Sequence, residues 1–388
     1  MRVSTSRSGT SRGYRYVRIR GWYFSLQRNP TVLGALLYWR GKPFGFHRAG
    51  LGVRPSLQRI AFVTGKLLYH RFNPPRGEVL LDLPVHGHLC CEVHRGYKVF
   101  DLARGVVTKV FSPEVTPEVV RQEIERARIA GRFCFAPSLL RCQPEESWYE
   151  EEYVNGYHLD GSSWSGFLRA LEEDLLPVLT AMIVGSEPRP VDLSGYCGQR
   201  MDLLRHEESR LHAEGLEPSE IAQVRGFIEE AAREVCAMGG RTVPLVFSHG
   251  DFSPKHVLIT NRGHMVVDWE TFGYRSVLFD LYNAFFQQIW LGREVPGISR
   301  EMKRAILGLE STIATSAPSI ARHLTPLSSS ARLYRLLYYI ERVSRILESR
   351  EPSHETLDTI LRWIEAFKRY EGIEPGEGSA MRGNGAEP

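Results

Sequence analysis

The feature that most limits how this chain can fold is a pair of aspartates, Asp251 and Asp268, which lie 17 residues apart. A strand-like run, Val243–Phe247, precedes the first aspartate and is followed by a sharp His-Gly turn. Two further strand-like runs, Val257–Thr260 and His264–Val267, flank an Asn-Arg-Gly sequence that is typical of a hairpin turn. Because the second aspartate ends this hairpin, the pattern predicts two carboxylates at one mouth of a small sheet.

Paired carboxylates in this arrangement suit phosphoryl transfer. One carboxylate orients the attacking hydroxyl and accepts its proton, while the other coordinates magnesium, which neutralises charge on the phosphates. For either aspartate alone, a turn or helix-cap role is the ordinary alternative, but the pair with Pro254 after Asp251 favours chemistry. The pair therefore predicts phosphoryl transfer with Mg²⁺, in which one aspartate accepts the proton and the other binds the metal.

Two motifs, His249–Leu258 (HGDFSPKHVL) and Val266–Glu270 (VVDWE), carry a family resemblance. They resemble the HGDxxPxN and (I/V)D(W/F)E signatures of the aminoglycoside phosphotransferase family, which has the protein-kinase-like fold. The resemblance implies that Asp251 is the catalytic aspartate. It implies that Asp268 is the metal aspartate, equivalent to the one that opens the protein-kinase DFG motif, and that His249 braces the catalytic loop.

Two positions decide how far this resemblance extends. The family usually has Asn, the second magnesium ligand, where this chain has His256. An imidazole suits softer ions than magnesium, so His256 either still helps to hold the metal or marks a weakened, inactive member. Lipopolysaccharide-core sugar kinases of the same superfamily resemble this chain in having His there, which favours activity. Asp280 resembles the family's later aspartate, which ties the loop down, although an acid favoured by a helix dipole is an equal alternative.

The segment before these motifs carries the residues with which a kinase-like fold holds its nucleotide. Lys109 lies in the strand-like run Val106–Phe111 and is predicted to reach the α- and β-phosphates. A helix predicted to begin at Pro117 supplies Glu123 as the partner of this lysine, with Glu125 as the second choice.

Other nucleotide contacts are marked more weakly. Lys98 and Arg95 flank the single glycine of the first predicted hairpin and are candidates for contacts with the phosphates. Glu152 and Val154 precede an Asn-Gly pair in a segment that resembles the inter-lobe hinge of the family. The resemblance implies that the backbone of Glu152–Val154 bonds the edge of adenine.

The order of these patterns predicts an α+β chain with the protein-kinase-like two-lobed fold. We expect a basic N-terminal extension over residues 1–77, partly disordered and of unknown fold, and a β-rich N-lobe over 78–156. A larger helical C-lobe with the catalytic loop follows over 157–371, and a disordered tail over 372–388. A cleft between the two lobes is the expected ligand site. Helices are predicted over residues 30–39, 57–70, 117–129, 164–184, 218–238, 279–290, 300–313, 331–348 and 354–370.

Charge is distributed unevenly along the chain. The first 77 residues contain 15 Lys and Arg and no Asp or Glu, although the whole chain has a net charge of only +4. Aromatic residues interleave with arginines in this segment, which leaves three interpretations open. It is a strand-and-helix cap on the small lobe, a peripheral contact with a membrane surface, or a nucleic-acid-binding segment, the last being the least favoured.

Cysteine spacing and hydropathy bear on the cellular compartment of the protein. The six cysteines show no CxxC spacing, which indicates free thiols in a reducing compartment. Arginines interrupt every apolar stretch up to Arg28, so the N-terminus does not resemble a signal peptide, and no apolar run predicts a transmembrane segment. We therefore expect a cytoplasmic protein, with association at the inner face of the membrane as the extension of this hypothesis.

The acceptor is left open by the sequence, because this fold hosts sugar, choline, amino-alcohol and lipid-linked sugar kinases. The predicted function is an ATP-dependent phosphotransferase that acts on a hydroxyl of a small molecule or of a surface-glycan or lipid-linked sugar. One alternative is a catalytically weak pseudokinase that binds a nucleotide or a partner. A second is a basic nucleic-acid-binding protein with a degenerate kinase body.

Overall fold

The computed structural model divides into two compact units. The first comprises the chain up to Leu159 together with His256–Glu270, and the second comprises Asp160–Lys255 and the chain from Thr271 onward. The structure describes residues 13–19, 22–29, 32–33, 53–72, 78–159, 161, 163–238, 242–324, 326–349 and 353–377.

The first unit is built on an antiparallel sheet of eight strands in the order β3-β1-β2-β4-β5-β6-β8-β7. A second, three-stranded sheet in this unit has the order β13-β12-β9. The strands are β1 (Gly13–Ile19), β2 (Trp22–Ser25), β3 (Glu78–Asp82), β4 (Leu89–Val93), β5 (Gly96–Asp101), β6 (Val106–Phe111), β7 (Leu139–Gln143), β8 (Trp148–Glu152), β9 (Tyr157–His158), β12 (Val257–Thr260) and β13 (Gly263–Val266). Its helices are α1 (Val53–Phe72) and α2 (Pro117–Ala130).

The predicted hairpin at Arg95-Gly96 is present between β4 and β5, where Val93 pairs with Gly96. Arg95 has φ 65° and Gly96 has φ 149°, both outside the range that most side chains adopt. A Cβ added at Gly96 would lie 2.0 Å from the carbonyl oxygen of Val110, so only glycine allows β5 and β6 to approach this closely.

The described strands of the N-terminal segment belong to the main sheet. β1 pairs with β2 and with β3, and β2 pairs with β4, while helix α1 makes up most of the rest of the described part of residues 1–77. Helix α1 confirms the predicted helix over 57–70, whereas the one over 30–39 falls almost entirely outside the described residues. The boundary predicted at residue 77 falls between strands that pair in one sheet, because β1 pairs with β3, and pairing between strands so far apart in the chain leaves no periodic mark in the sequence.

The second unit is mainly helical and carries a three-stranded sheet in the order β10-β11-β14. These strands are β10 (Arg189–Asp192), β11 (Thr242–Ser248) and β14 (Gly273–Ser276). The helices are α3 (Trp164–Ala170), α4 (Leu176–Val184), α5 (Leu193–Ala213), α6 (Pro218–Ala237), α7 (Phe279–Trp290), α8 (Ile298–Ser316), α9 (Pro318–Ala321), α10 (Ala331–Ser349) and α11 (His354–Glu377). No helix in the described ranges has the length and apolar character needed to cross a bilayer.

Most of the predicted helices are confirmed, with three differences. The helix predicted over 164–184 is divided by a π-helical turn at Leu171–Leu175. Helix α5 was not predicted, because charged side chains are spread along it without a clear apolar stripe. The predicted tail begins too early, since α11 continues to Glu377, and the residues beyond lie outside the described part of the chain.

Helix α7 forms the centre of the second unit. Its residues Phe279–Ile289 are all buried, which is the behaviour of a helix covered on every side. Phe286 packs against Tyr338, Phe367 and Tyr370, with ring centroids between 5.1 and 5.4 Å apart. This aromatic packing fixes α7 against α10 and α11, and it thereby fixes the polar side chains that α7 carries.

Phe24 tests whether the N-terminal strands belong to the core. Its side chain is 1% exposed in a cluster with Val17, Leu67 and Val107. We expect Phe24→Ala to lower the free energy of unfolding by about 3–5 kcal/mol, because it removes a buried ring and leaves a cavity. Urea unfolding followed by circular dichroism measures the change. Leu80→Ala is the control, since Leu80 is 67% exposed, and equal effects of the two substitutions would contradict the placement of β2.

Candidate active site

The catalytic loop of the second unit begins where β11 ends, at Ser248, and is held by a carboxylate from α7. Asp280 accepts hydrogen bonds from the backbone amides of His249 (2.7 Å) and Gly250 (3.0 Å). The hydroxyl of Thr271 donates to the carbonyl of His249 at 2.8 Å. Asp280 lies in the first turn of α7, so the two interpretations of this residue coincide: it is a helix N-terminal acid that also ties the loop down.

Gly250 makes the loop turn possible. Its φ is 84°, and an added Cβ would lie 2.5 Å from the carbonyl oxygen of Thr271. His249 is fully buried, and its Nδ1 accepts a hydrogen bond from the amide of Asp251 at 3.3 Å. This geometry is that of a residue that supports the loop, as expected for a histidine that braces it.

Asp251 lies among cationic side chains. Its carboxylate is 3.5 Å from Nη1 of Arg342 and 3.6 Å from Nζ of Lys255, and its side chain is 26% exposed. The amide group of Asn283 on α7 donates to the carbonyl of Phe252 at 2.9 Å and supports the loop after Asp251. The sequence did not predict that Arg342 or Asn283 lies near this loop. The signal that could have identified them is a charged or polar residue within an otherwise apolar helical stripe.

In the first unit, the candidate nucleotide lysine is buried among carboxylates. The side chain of Lys109 is 1% exposed, and its Nζ lies 2.8 Å from Glu270, 2.7 Å from the carbonyl of His94 and 3.8 Å from Glu123. The structure therefore brings Lys109 and Glu123 together as expected, but the shorter ion pair is with Glu270. Glu270 lies within the VVDWE motif, where the sequence assigned it no role, and its ion pair with Lys109 makes it a further candidate.

The second choice for the partner of Lys109 lies elsewhere. Glu125 forms an ion pair with Arg128 on the surface of α2, where about half of its side chain is exposed. Glu123 faces inward, is 3% exposed and accepts a hydrogen bond from the hydroxyl of Tyr149. A helix places residues two positions apart on different faces, which separates these two glutamates.

Asp268 and His256 form the second part of the first-unit site. Nε2 of His256 lies 3.6 Å from Oδ2 of Asp268, and the amide of Val267 donates to the carbonyl of His256 at 2.9 Å. The other carboxylate oxygen, Oδ1, accepts a hydrogen bond from Nζ of Lys98 at 2.9 Å. Asp268 has φ 73°, a left-handed conformation that is uncommon outside glycine and is found at functional sites.

These groups fit a magnesium ion that is bound mainly through its nucleotide. Asp268 offers a hard carboxylate, and 39% of its side chain is exposed. Magnesium commonly keeps several waters and is held by one or two carboxylates together with substrate phosphates. Across the described ranges, no three His, Cys, Asp or Glu side chains are grouped as metal ligands. The donor set of Asp268 and His256 is therefore small, and it suits an ion that shares its coordination with phosphates.

Burial and charge act against each other in this cluster. Burial, with the neighbouring charge of Glu270, raises the pKa of Glu123 to about 7, although Lys109 opposes the shift. Burial alone would lower the pKa of Lys98, but the carboxylates of Asp268 and Glu270 raise it well above its usual value. Lys98, Glu123, Asp268 and Glu270 line one small cavity of the first unit.

The expected adenine segment follows β8. Val154 is buried in a cluster with Leu258 and Met265, which gives it an apolar setting. The side chain of Glu152 pairs with Arg262 at 2.8 Å, and its amide donates to the carbonyl of Ser138. The amide of Glu152 is thus engaged within the protein, so the adenine hypothesis depends mainly on Val154.

The profile of the phosphotransferase enzyme family known as APH matches residues 94–308, which is more than half of the chain. The chain belongs to this family. The match includes both aspartates and all the charged residues described above except Arg342. This phosphotransferase is accordingly an enzyme, a kinase of small molecules, and it has the protein-kinase-like fold that the two motifs predicted.

A solved structure agrees with this fold. The choline kinase of Cryptosporidium parvum Iowa II is 13% identical to the phosphotransferase, with a TM-score of 0.50, over 74% of this chain and 90% of that chain. The choline kinase LicA of Streptococcus pneumoniae is also 13% identical, with a TM-score of 0.44, over 73% of this chain and 89% of that chain. A comparison with curated proteins gave no match.

The raised pKa of Glu123 predicts how the stability of the phosphotransferase depends on pH. The folded-state pKa of about 7 exceeds the usual value of 4.5, so the stability from the protonated carboxyl is fully present below pH 4.5 and is lost as pH rises through 7. We expect Glu123→Gln to flatten the fall in unfolding free energy between these pH values.

Denaturant unfolding at a series of pH values measures this change. Glu118→Gln is the matched control, because Glu118 lies on the same helix with a side chain that is 70% exposed. If the free energy of unfolding falls equally for the wild type and for Glu123→Gln between pH 4.5 and about 7, Glu123 is not the group that loses a proton in this range.

Proposed function

We propose that the protein transfers the γ-phosphate of ATP to a hydroxyl group of a small molecule, with Mg²⁺ as the metal. The observation that carries this proposal is the burial of Lys109 between Glu270 and Glu123. Burying a charged lysine with two carboxylates is energetically expensive and is not required by an apolar core. A nucleotide-binding role explains why the fold retains these three charges together.

Each of the candidate site residues then has a proposed role. Asp251 accepts the proton of the acceptor hydroxyl. The hydroxyl oxygen forms a bond to the γ-phosphorus, and the bond between this phosphorus and the leaving ADP oxygen breaks. Lys109 and Lys98 offset the negative charge of the phosphates. Asp268, with His256 beside it, would hold the metal, which when bound neutralises further phosphate charge. Val154 would supply backbone contacts to adenine.

The pseudokinase alternative is not favoured. Asp251 and Asp268 stand at the positions that match the two family motifs, and His256 is the position within them that departs from the pattern. His256 still lies 3.6 Å from Asp268, as a residue that shares the metal would. A neutral imidazole in this position serves as a weak ligand or as a hydrogen-bond partner of metal-bound water.

We further propose that the N-terminal region touches an anionic membrane surface, which would suit a lipid-linked sugar acceptor. Ile60, Val63 and Leu67 bury one face of α1. The opposite face presents Phe62 and Phe72, which are 47% and 77% exposed.

Tyr69, 60% exposed, and Lys66 belong to this outward face as well, and the ammonium group of Lys66 lies 5.8 Å from the ring centre of Phe62. Aromatic and cationic side chains on one helix face are the composition of an interfacial helix. The absence of any acid from the first 77 residues favours anionic lipid headgroups as the partner.

The kinase proposal predicts separable losses in two variants. We expect Asp251→Asn to reduce phosphate transfer by about 10²–10⁴-fold while ATP still binds, because only proton acceptance is removed. Asp268→Ala should weaken magnesium-dependent binding of ATP as well. Transfer from labelled ATP, with an acceptor screen, and calorimetric ATP binding measure the two effects. Asp202→Asn is the control, since that side chain is 75% exposed. A wild-type protein that neither binds nor turns over ATP would refute the proposal.

The membrane proposal predicts binding to anionic vesicles alone. The full chain should sediment with phosphatidylcholine vesicles that contain phosphatidylglycerol and not with phosphatidylcholine alone, and added salt should weaken the binding. The triple variant Phe62→Ser, Tyr69→Ser, Phe72→Ser should lose it. Leu291→Ser with Leu307→Ser is the matched control, because these leucines are about half exposed in the second unit. Equal sedimentation of both variants would exclude α1 as the contact.

A further inference from the structure

An arginine of α10, Arg342, lies beside the catalytic loop of the second unit. Arg342 and Arg345 are three residues apart on the helix, so their side chains share a face. The side chain of Arg342 is 6% exposed; its Nη1 is 3.3 Å from the carbonyl of Gly250 and 3.5 Å from Asp251. Its guanidinium also lies 4.2 Å from the ring centre of Trp363, which fixes its orientation.

The positive charge on this face is incompletely neutralised. Within the described residues, the buried Nε atoms of Arg342 and Arg345 have no hydrogen-bond partner. Lys255 adds a third cation, 3.6 Å from Asp251. The carboxylate of Asp251 therefore lies within 3.6 Å of two cationic side chains, those of Arg342 and Lys255.

Nearby acids of the second unit are already engaged. Glu341 accepts hydrogen bonds from the hydroxyls of Tyr196 and Ser276, both at 2.6 Å. Asp280 is occupied by the two loop amides, and Glu348 pairs with Arg200 at 2.9 Å. These carboxylates serve other partners, so the excess of positive charge around Asp251 is a property of the folded unit.

We propose that Arg345, supported by Arg342, binds an anionic group on the acceptor, a phosphate or a carboxylate, near the hydroxyl that is phosphorylated. This proposal rests on the proposed function, since it takes Asp251 as the group that receives the hydroxyl proton. A guanidinium presents donors in a planar fork that matches both anions. Arg342 acts as a positioning residue, because its contacts are with the loop and with Asp251.

The setting of Arg345 agrees with an anionic ligand. Desolvation, with a further contribution from the neighbouring charge of Arg342, lowers the pKa of Arg345 to about 9. An anion bound between the two guanidinium groups would relieve this repulsion. A cationic acceptor would instead add to it, which separates this site from one that recognises a quaternary ammonium group.

Four small alcohols of graded charge test the proposal: choline, glycerol, glycerate and glycerol 3-phosphate. Their binding is measured by calorimetry on the full chain saturated with magnesium and a non-hydrolysable ATP analogue. We expect the two anionic alcohols to bind more tightly than glycerol and choline to bind least. The comparison of glycerate with glycerol 3-phosphate decides between a carboxylate and a phosphate.

Variants of arginines on α10 show which side chain determines the binding of anionic alcohols. Arg345→Gln should weaken binding of the preferred anionic alcohol about tenfold or more, because a charged hydrogen-bond donor is lost. Arg345→Lys should bind with intermediate strength, since it keeps the charge but not the fork. Arg332→Gln is the control and should bind as the wild type does, because Arg332 is exposed on α10 and pairs with Glu234.

The outcomes separate this inference from the kinase proposal. If the wild type binds the ATP analogue but shows no preference for anionic alcohols, or if Arg345→Gln binds them as well as the wild type does, the anionic acceptor is refuted and the kinase assignment stands. If the wild type does not bind the ATP analogue at all, the kinase proposal itself fails. Thermal melting of each variant shows whether a loss of binding reflects unfolding.

Discussion

A carboxylate buried on α7 fixes the backbone of the catalytic loop, and the geometry of the second-unit site depends on it. Asp280 is 5% exposed, and burial raises its pKa even though His249, Arg275 and two amide hydrogen bonds oppose the shift. A buried charge is tolerated when donors surround it, and hydrogen bonds from backbone amides to a carboxylate are strong ones. This arrangement holds Gly250 in its left-handed conformation and directs Asp251 out of the loop.

The first unit contains a comparable set of buried charges. Lys109 is held by Glu270 and Glu123, while Lys98 is held by Asp268. In both units the charged residues are fixed by well-packed surroundings, by the aromatic cluster around α7 in one case and by the eight-stranded sheet in the other. Such preorganised charges avoid reorganisation when a charged ligand binds, which is the arrangement that phosphoryl transfer requires.

The sequence predicted the charged residues of the first unit better than those around Asp251 in the second unit. Asp268 lies within a motif that ends a predicted hairpin, and Lys109 and Glu123 lie on a predicted strand and on the helix that follows it, so each was marked by its local structure. Arg342 lies about 90 residues after Asp251, on a helix whose stripe of apolar residues only predicts that the helix is buried. Its contact with the loop depends on how α10 packs in the second unit, which no local pattern encodes.

By itself, the sequence determined the family, the protein-kinase-like fold, the order of most strands and helices, and the positions of both aspartates. The two motifs carry the family and the fold, while turns, caps and periodicity specify the strands and helices. Only the tertiary structure showed that β1 and β2 belong to the main sheet, that Glu270 is nearer than Glu123 to Lys109, and that Arg342 of α10 contacts the catalytic loop. These features depend on pairing and packing between residues far apart in the chain, which are decided when the whole core forms.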